Sequence, residues 1–260
     1  MNPAELYGRI WLDGSAGLES RLEQSLAPRS ADLLLDTMGR LGLRAEDHLL
    51  DLGCRDSSFS YRLAARYGCR VTGVDLVLRE VSPGLVDPRV RRVAGRLEAV
   101  PLRAGCARFI WCRDVLNHVE LSAALPECAR LLARGGSMLI FQTFAGPLME
   151  PREAERLYAA LAVDPRNMDR AYVEAIAREA GFVVTERDPV GSEWRERRTE
   201  DGDPALLDDL LRVARLRRRE VLLAAEFGRE VYEATYAAAL WGIYQMLGKL
   251  APEVLVLRRV

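Results

Sequence analysis

Between His48 and Phe144 short apolar runs alternate with amphipathic helical patterns, and this alternation leaves few architectures open. Five strands are expected at His48–Leu52, Arg70–Asp75, Val90–Ala94, Arg108–Cys112 and Ser137–Phe144. Helical patterns separate them at Ser58–Tyr67, around Leu76–Val81 and at Leu121–Leu132, the last closed by Gly135 and Gly136. Strands joined through helices pair in parallel by right-handed crossovers, with helices on both faces of the sheet. After the helical patterns "PREAERLYAALA" and "DRAYVEAIAREAGF", a sixth strand is expected at Phe182–Arg187, and Pro252 introduces a seventh in "EVLVLRR". Ala205 to Leu247 reads as helix interrupted at Gly228 and Gly242, and "GSEWRERRTEDGDP" as an exposed loop or cap. Ahead of the first strand, "GLESRLEQSLA" and "RSADLLLDTMGRLGL" read as helices, the second with Leu33, Leu34, Met38 and Leu41 on one face. The expected fold is α/β: a doubly wound, seven-stranded, mostly parallel sheet with N-terminal helices and a helical insertion before the last strand. The expected divisions are a helical cap over 1–46, the core over 47–190, the insertion or substrate cap over 191–250, and the last core strand over 251–260.

Bulk properties narrow the functional classes. Half the residues are apolar, enough for a sizeable core, and a formal net charge of −1 gives no general attraction to nucleic acid or anionic membrane. "RVARLRRRE" is the one dense basic run; flanked by acids, it reads as a solvated face or interface rather than an RNA-binding surface. The five cysteines are odd in number and without C-x-x-C spacing, and only His48 and His118 could add imidazole ligands, so neither a disulfide framework nor a metal site is expected. No apolar run reaches the ~20 residues that span a bilayer, and "MNPAELYGRIWLDG" lacks the apolar stretch of a signal peptide. A cytoplasmic protein is expected.

The segment "HLLDLGCRDSSFSYRLAARYG" runs from strand through a glycine turn into a helix. In an open parallel sheet the ligand lies outside the carboxyl ends of the strands, and the first such turn offers it backbone amides and a helix N-terminus. Asp75 closes the second strand 24 residues after Asp51, where a carboxylate can accept both hydroxyls of a ribose. A dinucleotide fingerprint would need glycine at Gly53, Arg55 and Ser58, and two of the three fail. A phosphate-free nucleoside cofactor tolerates a less stripped loop.

"LLDLGC" to Phe59, "VTGVDL", "RRVAGRLEAVPLRAGCARFIWCRDVLNHVE" and "LARGGSMLIFQTF" together resemble the class I S-adenosylmethionine-dependent methyltransferases, in order and spacing, and most of all those acting on small molecules. The resemblance implies a Rossmann-like methyltransferase fold, S-adenosylmethionine as cofactor, and methyl transfer to O or N of a small molecule, with bacterial specialised biosynthesis as the expected setting. It implies that Asp51 and the backbone of Gly53 and Cys54 hold the methionine end, Asp75 the ribose, and Leu76 one face of the adenine. The family usually places an acid after the third strand to accept from the adenine amino group; Arg96 stands there, and Glu98 is a candidate replacement, with Leu97 still offering its amide. Arg113, just past the fourth strand, would lie beside the amino-acid end. Arg55 and Ser57 stand where the family prefers glycine; Arg55 fits if its backbone keeps a negative φ and its side chain leaves toward solvent or, held by Asp56, reaches the cofactor carboxylate.

His118, four residues beyond Asp114, is the candidate catalytic base, because imidazole titrates near neutrality; packing under a lid is the alternative. His48 opens the first strand, away from the site, and reads as structural. Tyr7 and Trp11 near the N-terminus, and Trp241 and Tyr244 in the insertion, are candidate substrate contacts, with core packing or a homodimer contact through the C-terminal helices as the alternative. Two rival readings stay open: a methyltransferase-fold protein that cyclises or rearranges its substrate without methylating it, and a non-catalytic partner subunit.

Overall fold

A computed structural model describes residues 2–9, 18, 21–23, 28–81 and 86–260. Trp11 and most of the 17–27 helical pattern lie outside the described residues. A six-residue helix α1 (Pro3–Gly8) and helix α2 (Leu33–Arg40) precede the sheet. The chain then runs β1 (His48–Leu52), α3 (Ser58–Tyr67), β2 (Arg70–Asp75), β3 (Val90–Ala94), β4 (Ala107–Arg113), α4 (Leu121–Leu131) and β5 (Leu132–Ala145). It continues through α5 (Pro151–Leu161), α6 (Arg170–Glu179), β6 (Phe182–Pro189), α7 (Glu193–Glu200), α8 (Ala205–Arg218), α9 (Glu220–Phe227), α10 (Arg229–Met246) and β7 (Leu250–Arg259).

The seven strands lie in the order β3-β2-β1-β4-β5-β7-β6. All pairings are parallel except those of β7, which enters antiparallel between β5 and β6. The order reverses between β1 and β4, where Asp51 faces Trp111 and Leu52 faces Cys112 across the ladder, so the crevice beyond those strand ends is where an open sheet binds its ligand. The central strands are buried on both sides, and their near-continuous apolar sequence follows from that. Leu50, Leu52, Ile110 and Ile140 face a core packed by Leu121 and Leu125 of α4 and Val173 of α6. Leu49, Phe109, Trp111 and Phe141 face the other core, closed by Leu34 and Met38 of α2, Leu63 of α3 and Trp194 of α7. A third cluster joins α5 to α10 through Leu157, Tyr158 and Ala237. Among the described residues no helix is long and apolar enough to cross a membrane.

Four local expectations are corrected. Residues 76–81 carry no helix, because Asp75 turns the chain there by accepting from the Val77 amide at 2.9 Å. The charged segment after β6 is not a loop: it forms α7, anchored by buried Trp194, whose indole N–H donates to the Ser30 carbonyl. Gly242 does not interrupt its helix; it lets α8 pack close, since a Cβ there would lie 2.7 Å from Asp209 Oδ2. The break falls instead at Arg219. Gly135 and Gly136 do not close α4 but sit inside β5, in the irregularity where Ala107 pairs Leu132 while Phe109 pairs Ser137.

Candidate active site

Two cavities open at the carboxyl ends of β1 and β4. The first, of about 660 Å³, is lined by Asp51, Gly53, Cys54 and Arg55 from the β1–α3 turn, Asp75 and Leu76 after β2, Arg96, Leu97 and Glu98 after β3, and Arg113, Asp114 and His118 after β4. All ten of the expected catalytic and cofactor-binding residues therefore meet on one wall or another of a single cavity.

Gly53 shows why the turn needs glycine. Its φ is +77°, and a Cβ would stand 2.0 Å from Val115 Cγ2, so any side chain would push the β4 turn away. Its amide and that of Cys54 both donate to the Val74 carbonyl, at 2.7 and 3.1 Å, which ties the turn to the end of β2. Asp75 is held from two sides: Oδ2 accepts from the Arg55 amide at 2.8 Å and Oδ1 from the Val77 amide. A carboxylate so fixed keeps lone pairs on both oxygens for a pair of hydroxyls. Arg55 does not keep the negative φ expected of it. Its φ is +50° and that of Ser57 +63°, so both non-glycine residues occupy the left-handed region, which is sparsely populated for residues bearing a Cβ. The Arg55–Asp75 hydrogen bond helps to hold that conformation.

Asp51 is 3% exposed and accepts from Ser60 Oγ at 2.5 Å. Burial raises its pKa to about 6, with the Ser60 bond and the Arg113 charge opposing. Burial likewise raises the Cys54 thiol to about 11, so it is a neutral wall group and not a nucleophile. Arg96 is exposed and pairs with Glu98 at 3.5 Å, while Glu98 is the more enclosed of the two and presents a carboxylate to the cavity. Leu97 is buried beneath it and Leu76 lies open on the opposite lip. His118 ends a 3-10 turn, Leu116–His118, exposed to the cavity, with Nδ1 3.4 Å from the Ala162 carbonyl oxygen. Buried amides fix that turn: Asn117 Nδ2 donates to the Thr143 carbonyl, and Asn167 Nδ2 to the carbonyls of Leu116 and Val119. His48 lies at the far end of β1, its ring nitrogens bonded to the Cys106 carbonyl and Thr72 Oγ1 at 2.8 Å each, and burial lowers its pKa.

The second cavity, of about 710 Å³, lies between the core and α7. Leu34, Leu35, Phe59, Phe141 and Trp194 form an apolar wall, and Arg62, Arg113, Arg195 and Arg198 interrupt it. Phe59, Arg113 and Asp114 line both cavities, so the two meet at the end of β4. The Arg113 guanidinium stacks 4.1 Å above the Phe59 ring. Asp114, at φ +53°, accepts from Thr143 Oγ1 at 3.1 Å, and burial raises its pKa against the pull of Arg113.

Residues 50–140 match the family model described as "Methyltransferase domain". Over 113 residues the chain is 33% identical to the geranyl diphosphate 2-C-methyltransferase of Saccharopolyspora erythraea, covering 41% of this chain and 39% of that enzyme. Over 167 residues it is 30% identical to the 27-O-demethylrifamycin SV methyltransferase of Amycolatopsis mediterranei, covering 58% of this chain and 57% of that enzyme. The chain thus spans less than two thirds of the length of these relatives. Among solved structures, that of the [4+2]-cyclase SpnF superposes with a TM-score of 0.64 at 19% identity, over 91% of this chain and 84% of that one. Family match, strand order and cavity position agree. Residues 50–140 are similar to a methyltransferase domain, on a fold shared with solved methyltransferases.

Within the methyltransferase frame, three groups escape a reading of the sequence. Asp114 is adjacent to the expected Arg113, yet only its unusual backbone and the second cavity make it stand out. Phe59 reads as a core residue of α3. Trp194, Arg195 and Arg198 sit more than 75 residues beyond β4 in a segment whose charges hide its helix. Conversely, the insertion aromatics do not reach either cavity. Trp241 and Tyr244 pack on the third cluster, with the Tyr244 hydroxyl and Glu153 bonded at 3.2 Å, because α10 turns that face toward α5. Tyr7 is half exposed on α1 and lines neither cavity, and Trp11 lies outside the described residues.

Proposed function

We propose that the protein transfers a methyl group from S-adenosylmethionine to an oxygen or nitrogen of a small molecule. One observation carries this reading: a nucleoside-sized cavity built from Asp51, Gly53, Asp75, Leu97 and Glu98 adjoins a second cavity across Phe59, Arg113 and Asp114. When bound, the cofactor supplies an electrophilic methyl on a sulfonium. The chain's own residues supply position and dryness, worth on the order of 7–11 kcal/mol of barrier in well-oriented reactions. Asp75 takes the ribose hydroxyls and Asp51 the ammonium. Leu76 and Leu97 enclose the base, and Glu98 accepts from its amino group in place of the acid that Arg96 displaces. An Nδ1–H donated to the Ala162 carbonyl would leave His118 Nε2 with a free lone pair in the first cavity, which suits it to take the proton from an acceptor atom that reaches past the shared Asp114 wall to the cofactor.

A cavity of about 710 Å³ is in the range that takes a small organic molecule, which supports a small acceptor over a nucleic acid. Exposed Leu211, Val221, Leu222 and Phe227 on α8 and α9 support a homodimer through the C-terminal helices, and five free thiols suit a cytoplasmic setting.

Calorimetric titration with S-adenosylhomocysteine tests the reading. Micromolar binding in the wild type that weakens at least tenfold in Asp75→Ala is expected; no heat with either S-adenosylmethionine or S-adenosylhomocysteine would end it. A second reading, in which the cofactor is held but the second cavity runs a cyclisation or rearrangement, draws on the strained turn at Arg55 and the non-acidic Arg96. It would be preferred if the protein bound the cofactor tightly and converted its substrate with no methyl incorporated.

A further inference from the structure

The arginines of the second cavity are not equivalent. Arg62 is bonded to Asp32 at 2.5 Å, and Arg198 to Asp203 through Nε at 2.8 Å. Asp201, also on the wall, is taken by Arg197 at 2.9 Å. That leaves Arg113 and Arg195, and among the described residues neither has a carboxylate within ion-pair distance. Arg113 lies flat on Phe59. Arg195 turns Nε and Nη2 to a single acceptor, the side-chain oxygen of buried Gln245, which itself donates to Thr143 Oγ1 at 3.0 Å. The one carboxylate attracting both is Asp114, whose printed hydrogen bond goes to Thr143. Asp209 stands behind Arg195 but is drawn also to Arg212. Burial lowers the pKa of both arginines against these attractions. Asp51 also attracts Arg113, and Asp203 also attracts Arg195, but neither forms an ion pair with these guanidinium groups. Two desolvated guanidinium groups therefore face the cavity with N–H donors that no carboxylate takes, an arrangement that an anion in the cavity would complete.

We propose, resting on the methyl-transfer reading above, that the second cavity binds an acceptor made of a compact apolar body and an oxyanion. The oxyanion, a carboxylate or a phosphate ester, is held by the forked N–H groups of Arg113 and Arg195. The apolar body lies along Leu34, Leu35, Phe141 and Trp194. A planar guanidinium suits two-point recognition of such an oxyanion, and Gln245 presets the Arg195 plane before the ligand arrives. Because Arg113 belongs to both cavities, the reacting atom of the acceptor lies close to its anionic group. Recognition of the anion thereby aligns the nucleophile.

The probes are matched pairs with and without charge: indole-3-acetate against indole-3-acetamide, and phenyl phosphate against phenol, titrated by calorimetry in the presence of S-adenosylhomocysteine. The acid of at least one pair should bind tenfold or more tighter than its neutral partner, and the pair showing the larger ratio separates carboxylate from phosphate. Arg195→Gln should reduce that ratio at least tenfold while leaving S-adenosylhomocysteine affinity unchanged. Equal binding of acid and neutral partner in the wild type, or no binding of any probe, overturns the inference, and this comparison stands even if Arg195→Gln fails to fold. A ratio that survives in folded Arg195→Gln also overturns it. Binding of S-adenosylhomocysteine without any anion preference removes this inference alone; anion preference without S-adenosylhomocysteine binding removes the methyltransferase reading alone.

Discussion

Replacing Asp51 by asparagine should stabilise the fold at neutral pH while damaging the first cavity. The Asp51 carboxyl is 3% exposed, and burial lifts its pKa from 3.8 to about 6 even though Ser60 and Arg113 favour the charged form. In the unfolded chain it titrates at the ordinary value, so the folded state holds this proton more tightly. The resulting stabilisation is complete below about pH 4 and is lost as pH rises through about 6. A gap of roughly two pH units corresponds to about 3 kcal/mol, on the order of a fifth to three fifths of the net stability of an ordinary domain. The amide of Asp51→Asn never ionises. Whatever fixed effect the substitution brings, the stability difference between variant and wild type should move in the variant's favour by about 2 kcal/mol between pH 4 and pH 7. Urea denaturation at constant ionic strength across that range measures it. In parallel, S-adenosylhomocysteine should bind at least tenfold more weakly at pH 7, because the charge that costs stability is the one proposed to face the ammonium. A stability difference that stays flat with pH would refute the claim that an ionised, desolvated carboxylate is kept there for the ligand.

The other expectations concern the turn, the base and the assembly. Gly53→Ala combines a left-handed backbone with overlap on Val115, whereas Gly105→Ala, at φ +61° with no atom within 4 Å of its Cβ, incurs the backbone term alone. The first should cost about 1–3 kcal/mol more than the second by urea denaturation, and only the first should weaken S-adenosylhomocysteine binding. His118→Ala should slow methyl transfer about 100-fold or more at saturating cofactor with cofactor affinity unchanged; an unaltered rate would leave His118 a wall residue. Light scattering should give the mass of two chains for the wild type and of one for Val221→Asp combined with Phe227→Ser; a monomeric wild type would remove the proposed dimer.

What could be read from the sequence follows the physics of each element. The bounds of β1, β2 and β3 were legible to the residue, because β1 and β3 run into glycine and β2 ends on an acidic turn residue. The convergence of Asp51, Gly53, Asp75 and Leu97 was legible too, since strand order alone brings the carboxyl ends of β1, β2 and β3 together. The backbone of Arg55 was not. Its positive φ is supported by the hydrogen bond its amide donates to Asp75 Oδ2, a contact twenty residues away that local preference does not reveal. Nor was α7, whose residues are almost all charged and whose single buried anchor, Trp194, finds its partners in Ser30 and Phe141. The second cavity depends on that helix, so its arginines stayed hidden with it. Trp241 and Tyr244 misled for the opposite reason: aromatic spacing identifies a packed face without saying against which element it packs.

The most direct test of the two-cavity arrangement is a crystal structure with S-adenosylhomocysteine bound. The ribose hydroxyls should lie within hydrogen-bond distance of Asp75, the adenine over Leu97 beside Glu98, and the sulfur should point toward the shared wall at Phe59, Arg113 and Asp114. A nucleoside seated among Arg195, Arg198 and Trp194, or a sulfur directed away from that wall, would contradict the assignment of cofactor and acceptor to the two cavities.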